Sequence, residues 1–359
     1  MSNIPKTYKA VILGKAEGKA GEVWHPLTVE EKEIPQLQDG QVLVKLNAAA
    51  LNYREIWIRR SLYPGIMHAG ATMGADGAGI LVAPSNHPLY NKPVLITPEV
   101  GWHKSTYGPD QKDEDFHVIG GTEGGQGRGT LSEYIVVPSE DAVECPSYLV
   151  EGDNWDAAAA LPLAAVTAYR ASFTKAEVEA GQNVLITGIG GGVAMQALQF
   201  CVAKGANVYV TSSKAEKIEQ AKKYGAKGGA NYQDSDWPEQ LAALLPTERP
   251  SLDAVIDAAG GDIISALLKV LKFGARVVVY GQTTEKPHIL TMFAIQKNIE
   301  LRGTTMGSRE EFKKAVQFAA EHRLKPIVHE VYRSLKEADK AMEDLRKGNQ
   351  LGKLVIRIA

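Results

Sequence analysis

The run Thr187-Gly188-Ile189-Gly190-Gly191-Gly192-Val193-Ala194 places glycine where a strand turns into a helix. Asn183 to Thr187 is a short apolar stretch, and from Gly191 to Lys204 the apolar Val193, Ala197, Leu198 and Cys201 recur at helical spacing. Glycines there permit a tight turn and close backbone approach, while the helix N-terminus offers free N–H groups and the positive end of its dipole. This chemistry suits a pyrophosphate, and inside a repeated strand–helix alternation it reads as dinucleotide binding. The spacing is not a strict G-x-G-x-x-G. With Ala194 in the last place, Ile189 stands first and Gly191 third, so Gly190, Gly191, Gly192 and Val193 are assigned as a group.

An NAD enzyme places a carboxylate against the ribose 2′-hydroxyl about 20 residues further on. Here the second strand ends in Thr211-Ser212-Ser213. Ser212, Ser213 and, one helical turn later, Lys217 offer hydroxyl donors and an ammonium to a 2′-phosphate that an aspartate would repel, so NADPH is expected over NADH. Lys217 also reads as an ordinary solvated helix lysine. His68, His103 and His117 match no ligand spacing of a helix or hairpin, and no metal is expected. Cys145 and Cys201 are too few for a disulfide framework and read as buried thiols of a reducing compartment.

The elements that must position these residues fall into two patterns. Lys9–Leu13, Gln41–Leu46, Gly79–Val82, Pro93–Ile96 and Ser132–Val137 read as short strands between turn signals, which predicts a small, irregular, mostly antiparallel barrel. From Asn183 the chain alternates: strand Asn207–Ser212, helix Lys214–Tyr224, strand Asp253–Ala258, helix Asp262–Lys272, strand Arg276–Gly281. Parallel strands need crossover helices, so this alternation predicts an α/β fold with a doubly wound parallel sheet. Helices Ser308–His322 and Leu335–Lys347 and a last strand Lys353–Ile358 do not extend that sheet and are expected to return to the first domain. The segment Gly101–Gly129, with eight glycines and the charged stretch Asp110–Asp115, reads as a lid or a disordered insertion.

The 359 residues exceed the size, about 250–300 residues, at which single cores stop growing, so two domains are expected. The boundaries are set at 1–164 with 304–359 and at 165–303. A formal net charge of −2, from 40 basic and 42 acidic residues spread along the chain, provides no field for nucleic acid or an anionic membrane. Neither a signal peptide nor a membrane-spanning apolar run is seen, and a cytoplasmic protein is expected.

Several short motifs stand in a fixed order: Leu51-Asn52-Tyr53-Arg54-Glu55, Met73-Gly74-Ala75-Asp76-Gly77-Ala78-Gly79, Gly129-Thr130-Leu131-Ser132-Glu133-Tyr134, Ala165-Val166-Thr167-Ala168-Tyr169, then the glycine turn, and finally Gly352-Lys353-Leu354-Val355. With these the chain resembles the zinc-less, quinone-oxidoreductase-like members of the medium-chain dehydrogenase/reductase superfamily over nearly its whole length. The resemblance implies a Rossmann coenzyme domain and a GroES-like β-barrel substrate domain. Where zinc alcohol dehydrogenases of that superfamily hold their catalytic metal, this chain has Asn52, Ala75 with Asp76, and Leu163, and it has no cysteines where the structural-zinc lobe carries four.

Carried over from the zinc-less relatives, Asn52 stands near the nicotinamide, Tyr63 at the mouth of the substrate cleft and Thr167 beside the coenzyme. Tyr232 joins Ser212, Ser213 and Lys217 at the 2′-phosphate, Gly260 and Gly281 border the adenosine and nicotinamide halves, and Lys353 reaches the cleft from the C-terminus as a coenzyme-binding residue. Bland readings stand beside these: Thr167 as a helix cap, Asn52 as a turn residue, Tyr63 and Tyr232 as half-buried aromatics. Two departures concern the pocket floor: Arg54-Glu55 stands where relatives often carry a small residue before an acid, and Met73–Gly79 lacks the usual glutamate.

Hydride adds only to an electron-poor carbon, and without a Lewis acid the growing oxyanion must be held by hydrogen bonds alone. That favours quinones and α,β-unsaturated carbonyls, with simple aldehydes as the alternative and Asn52, Tyr53 and Tyr63 as candidate donors. The reading from another class is a non-catalytic NADPH-binding sensor or scaffold. The apolar stretches Arg276–Tyr280 and Ile289–Leu301, toward one sheet edge, imply a homodimer, as in the zinc-less relatives. The competing reading is a helix over Ile289–Asn298 that folds back over the edge and leaves a monomer.

Overall fold

The computed structural model describes residues 4–63, 69–110, 116–122 and 127–358. Pro64 after Tyr63, His68, residues 111–115 of the charged stretch and the glycines 124 and 125 lie outside the described residues. The chain divides into two compact units, Met1–Leu163 with Ser308–Ala359, and Ala164–Gly307.

The second unit is a six-stranded, all-parallel sheet. In spatial order it runs Gly228–Asn231, Asn207–Ser212, Asn183–Ile186, Leu252–Asp257, Leu271–Val279 and Glu300–Gly303. The strand first in sequence lies in the interior, the chain winds outward to one edge, then jumps back and winds to the other. This is the doubly wound Rossmann pattern, and its switch point falls between Asn183–Ile186 and Leu252–Asp257. Both are apolar and buried because helices cover both faces of such a sheet. Leu185, Val255, Val277 and Leu267 belong to the core on one face.

Two differences from the sequence reading have local causes. The helix expected over Asp262–Lys272 is only Ile263–Leu267, opened by Asp262 accepting from the Ser265 N–H at 3.3 Å, and the next strand already starts at Leu271. The edge strands Gly228–Asn231 and Glu300–Gly303 have compositions, GGAN and ELRG, with none of the β-branched and aromatic residues that announce a strand.

The first unit is built on a seven-stranded sheet in the path Val328–Tyr332, Lys353–Arg357, Gln41–Ala50, Asp76–Ala83, Pro93–Ile96, Ala142–Glu144, with Tyr134–Pro138 also pairing Gln41–Ala50. All pairs are antiparallel except the first. The hairpin Thr7–Leu13/Leu27–Glu33 joins it through bridges Ala10–Ser132 and Ile12–Thr72. The C-terminal helices Arg309–Glu321 and Ala338–Lys347 and strand Lys353–Arg357 belong to this unit. In the segment read as a lid or insertion, the stretch around His117–Gly121 is packed, since His117–Val118 pairs Glu99–Val100 and a Cβ on Gly120 would lie 2.2 Å from the Gly74 carbonyl, while Tyr107 is 93% exposed.

Candidate functional sites in the two units

Strand Asn183–Ile186 ends at the switch point, and the glycine turn leads from it into helix Gly192–Ala203. Gly188 (φ +59°) and Gly190 (φ +142°) hold backbone conformations that favour glycine. The turn is clamped to the next strand, with the Gly188 N–H donating to Thr211 Oγ1 at 3.2 Å and the Ile189 N–H to the Thr211 carbonyl at 2.8 Å. Gly191 has an ordinary φ of −74°, and a Cβ built there would touch no atom within 4 Å. The chain's own packing therefore does not require glycine at 191. An open cradle at a helix N-terminus is what a pyrophosphate requires, so the turn fits a dinucleotide. Gly260 contrasts with it: its φ is +84° and a Cβ would lie 2.6 Å from the Lys286 carbonyl, a demand made by the protein itself. At Gly281 a Cβ would find only ordinary contact with Ala258.

Parallel register sets Asn231 opposite Ser212, so Tyr232 and Ser213 leave adjacent strand ends side by side. Ser212 is buried and its Oγ accepts from the Lys214 N–H at 3.1 Å, while Tyr232 is half exposed. Lys217 lies in the first turn of helix Ala215–Lys223, its ammonium held below the usual lysine range by partial burial and then by Lys214. Thr167 is buried within helix Pro162–Tyr169, not at its cap, with Oγ1 3.8 Å from the Met306 sulfur.

One group in this unit escaped the sequence reading. Asp257, fully buried at the end of strand Leu252–Asp257, accepts from Thr187 Oγ1 and from the Gly260 N–H at 2.9 Å, and pairs with His288 Nε2 at 2.8 Å. It ties the residue before the glycine turn to the loop 282–288, across the switch point. Burial, and then Asp257, pushes the Tyr280 phenol up. An aspartate in an apolar strand end was the available signal, but the partner lies 31 residues away.

The first unit assembles a second group by register. Ala50 pairs with Asp76 on one side and with Val355 on the other, so the residues just beyond, Asn52 and Lys353, meet Asp76 at the end of three adjacent strands. Lys353 Nζ donates to Asn52 Oδ1 at 2.6 Å and to Asp76 Oδ2 at 2.7 Å, Asn52 Nδ2 donates to Asp76 Oδ2 at 2.8 Å, and the Leu163 N–H donates to Asp76 Oδ1 at 2.6 Å. All three side chains are buried. Asn52 also caps helix Tyr53–Arg59, where the Glu55 carboxylate accepts its N–H at 2.6 Å. Burial raises the Glu55 carboxyl, and Arg54, the Asn52 N–H and Lys353 offset part of that rise.

Arg54 does not lie open on a pocket floor: it spends donors on Glu55 and on the Ile119 and Gly120 carbonyls, and its guanidinium sits 4.7 Å from the Tyr63 ring centre. Tyr53 and Tyr63 pack, partly buried, against the core that holds Leu51, Ile56 and Met73. Of the expected residues of this unit, the structure brings Asn52 and Lys353 together and leaves both tyrosines outside their hydrogen bonds.

The positions that hold zinc in metal-dependent relatives do not fit the metal here. Asn52, Ala75 and Leu163 present an amide, a methyl and an isobutyl group in place of thiolate or imidazole, and both Asp76 oxygens are engaged by N–H donors. Among the described residues no three His, Cys, Asp or Glu side chains are grouped to hold a metal ion.

Comparison with known proteins bears on both groups. A family model described as "Alcohol dehydrogenase GroES-like domain" matches residues 38–147, and one described as "Zinc-binding dehydrogenase" matches 192–321. The chain is 42% identical to the zinc-type alcohol dehydrogenase-like protein YogA of Leptosphaeria maculans, over 95% of this chain and 97% of that protein. It is 33% identical to the zinc-type alcohol dehydrogenase-like protein C1773.06c of Schizosaccharomyces pombe, over 92% and 95%. A solved structure of an NAD-dependent alcohol dehydrogenase superposes with a TM-score of 0.83 at 26% identity, covering 98% of this chain and 100% of that one.

Proposed function

Because the chain belongs to the medium-chain dehydrogenase/reductase superfamily of oxidoreductases, we propose that it reduces a quinone or an α,β-unsaturated carbonyl with hydride from NADPH, without zinc. The observation that carries this reading is the buried Asn52–Asp76–Lys353 group, in which Asn52 and Asp76 occupy positions that the resemblance matches to metal ligands and Lys353 joins them. Such a site polarises a substrate oxygen by hydrogen bonds, which suits substrates whose conjugation already spreads the incoming charge.

NADPH, when bound, supplies the hydride. The N–H groups around Gly190, Gly191, Gly192 and Val193 would hold its pyrophosphate, and Ser212, Ser213, Lys217 and Tyr232 its 2′-phosphate. The absence of a strand-end carboxylate at 212 and 213 supports NADPH; the NAD-dependent activity named for one fold neighbour is that protein's own. Aldehyde reduction is the second reading, favoured by the alcohol dehydrogenase-like names of the two relatives. No helix among the described residues is long and apolar enough to cross a membrane.

A steady-state screen of quinones, enones and aldehydes with both coenzymes tests the proposal. Quinone or enone turnover that prefers NADPH and survives chelation is expected. NADPH binding with no turnover on any member would favour a sensor or scaffold, and activity lost on chelation and restored by zinc would refute the metal-free reading.

A further inference from the structure

The cluster around Asp76 carries a buried cation, the Lys353 ammonium. Lys353 is 4% exposed, and its contacts with Asn52 and Asp76 use two of the three N–H bonds of an ammonium. We propose that Lys353 is the proton donor to the substrate oxygen, with Asp76 as its positioning residue. The inference rests on the hydride-transfer reading above and names the acid that reading leaves open.

Two N–H bonds in the cluster have no partner among the described residues: one on the Asn52 amide and one on the Lys353 ammonium. Both can hydrogen-bond an oxyanion, but only the ammonium gives up a proton readily in water. Tyr53 and Tyr63 belong to the hydrophobic packing and take no part in the cluster's hydrogen bonds. Asp76 cannot turn away from Lys353, because the Leu163 N–H holds its other oxygen. The Glu55 carboxylate fixes the Asn52 backbone in the same way.

The step balances. Hydride adds to the carbonyl carbon, or to the β-carbon of an enone, and the displaced π pair moves to oxygen, directly or through the α-carbon. That oxygen bonds the proton leaving Nζ, the N–H pair stays on nitrogen as a neutral amine, and solvent restores the ammonium. The reduced nicotinamide is oxidised and the substrate reduced by the same electron pair.

The oxygen of an aldehyde or enone becomes a strongly basic alkoxide or enolate, whereas a quinone yields a weakly basic phenolate that needs little help from an acid. Lys353→Arg keeps the ion pair with Asp76 but cannot release its proton, and Lys353→Gln removes the charge with a side chain one atom shorter. In both, kcat for aldehydes and enones should fall about 100-fold or more and kcat for quinones less than about fivefold. Coenzyme Kd, read by fluorescence titration, should stay within about threefold.

Equal losses on all substrates, or a parallel rise in coenzyme Kd, would overturn the assignment and return Lys353 to coenzyme binding. Should both variants fail to fold by thermal melting, the wild-type enzyme still decides. Its solvent deuterium isotope effect on kcat should be larger for an aldehyde than for a quinone, and an equal or absent effect refutes proton donation. A wild type that turns over nothing in the panel sinks the hydride-transfer reading itself, a different result from the loss of substrate dependence.

Discussion

Glu99 is 2% exposed, and neither of its carboxylate oxygens hydrogen-bonds to another residue. Burial pushes its carboxyl well above the usual range, Asp141 and Glu311 add to the rise, and Arg309 opposes it. The folded state therefore holds this proton more tightly than the unfolded chain. The stability this contributes is full below the ordinary glutamate range, about pH 4.3, and is lost as pH rises through the elevated native value. Glu99→Gln should be more stable than wild type at neutral and alkaline pH, with the difference in melting temperature shrinking as pH falls toward 4; a difference independent of pH would contradict the account. The two thiols carry no such lever, since burial pushes Cys145 and Cys201 up to about 12 and leaves them inert at neutral pH. At the coenzyme end, NADPH should bind at least about tenfold more tightly than NADH, roughly 1.4 kcal/mol. Lys217→Ala should weaken NADPH and leave NADH nearly unchanged in a titration; equal constants for the two coenzymes in the wild type would refute the phosphate site.

Strand ends and helix starts are where sequence and structure agree best, because their signals are local. The apolar strand, glycine turn and largely buried apolar helix from Asn183 to Ala203 are contiguous, and the turn was legible residue by residue. The strands Gly228–Asn231, Glu300–Gly303 and Val328–Tyr332 were not, since short edge strands take their hydrogen bonds from a neighbour and need little propensity of their own. The Asp76 hub was hidden for a related reason: Asn52 and Lys353 are 301 residues apart, and only the double register at Ala50 brings them together. Asn52 and Lys353 were each legible as candidates through the motifs around them, but not as partners. The glycine turn yields a test at this scale. Gly191 is the N-cap of its helix at φ −74° with open space beside it. Alanine caps poorly but lowers the entropy of the unfolded chain, two effects of about 0.5–1 kcal/mol each and opposite sign. Gly191→Ala should therefore melt within a few degrees of wild type yet bind coenzyme about tenfold or more weakly, because the new methyl occupies the cradle. Unchanged coenzyme affinity in a folded variant would show that the pyrophosphate lies elsewhere.

Two features of the coenzyme unit bear on assembly: its outermost strand and the apolar surface near it in sequence. Glu300–Gly303, and not Arg276–Tyr280, is the edge strand, and Val277 and Val278 are buried one strand in. The stretch before it forms a helix of only five residues, Met292–Gln296, which buries Ala294 and leaves Met292, Phe293 and Ile295 more than half exposed. Ile289, Leu290 and Leu301 are exposed as well, and so is Phe273, whose neighbour Gly274 donates its N–H to the Lys297 carbonyl at the end of that helix. A helix folded over the edge to make a stable monomer would turn these side chains inward, and this one does not. Burying a single phenylalanine or methionine is worth about 1.5–3 kcal/mol, so several together, duplicated by two-fold symmetry, form a credible association surface. A second copy of the chain is the proposed occupant, with the unpaired edge strand at the contact. Light scattering at micromolar concentration should give twice the 38.8 kDa of one chain. Phe293→Asp, at a side chain 69% exposed, should give the single-chain mass with the melting curve still cooperative. A wild type that already scatters as one chain would refute the dimer and leave this surface for another partner, and a Phe293→Asp protein that stays dimeric would move the interface to a different face of the molecule.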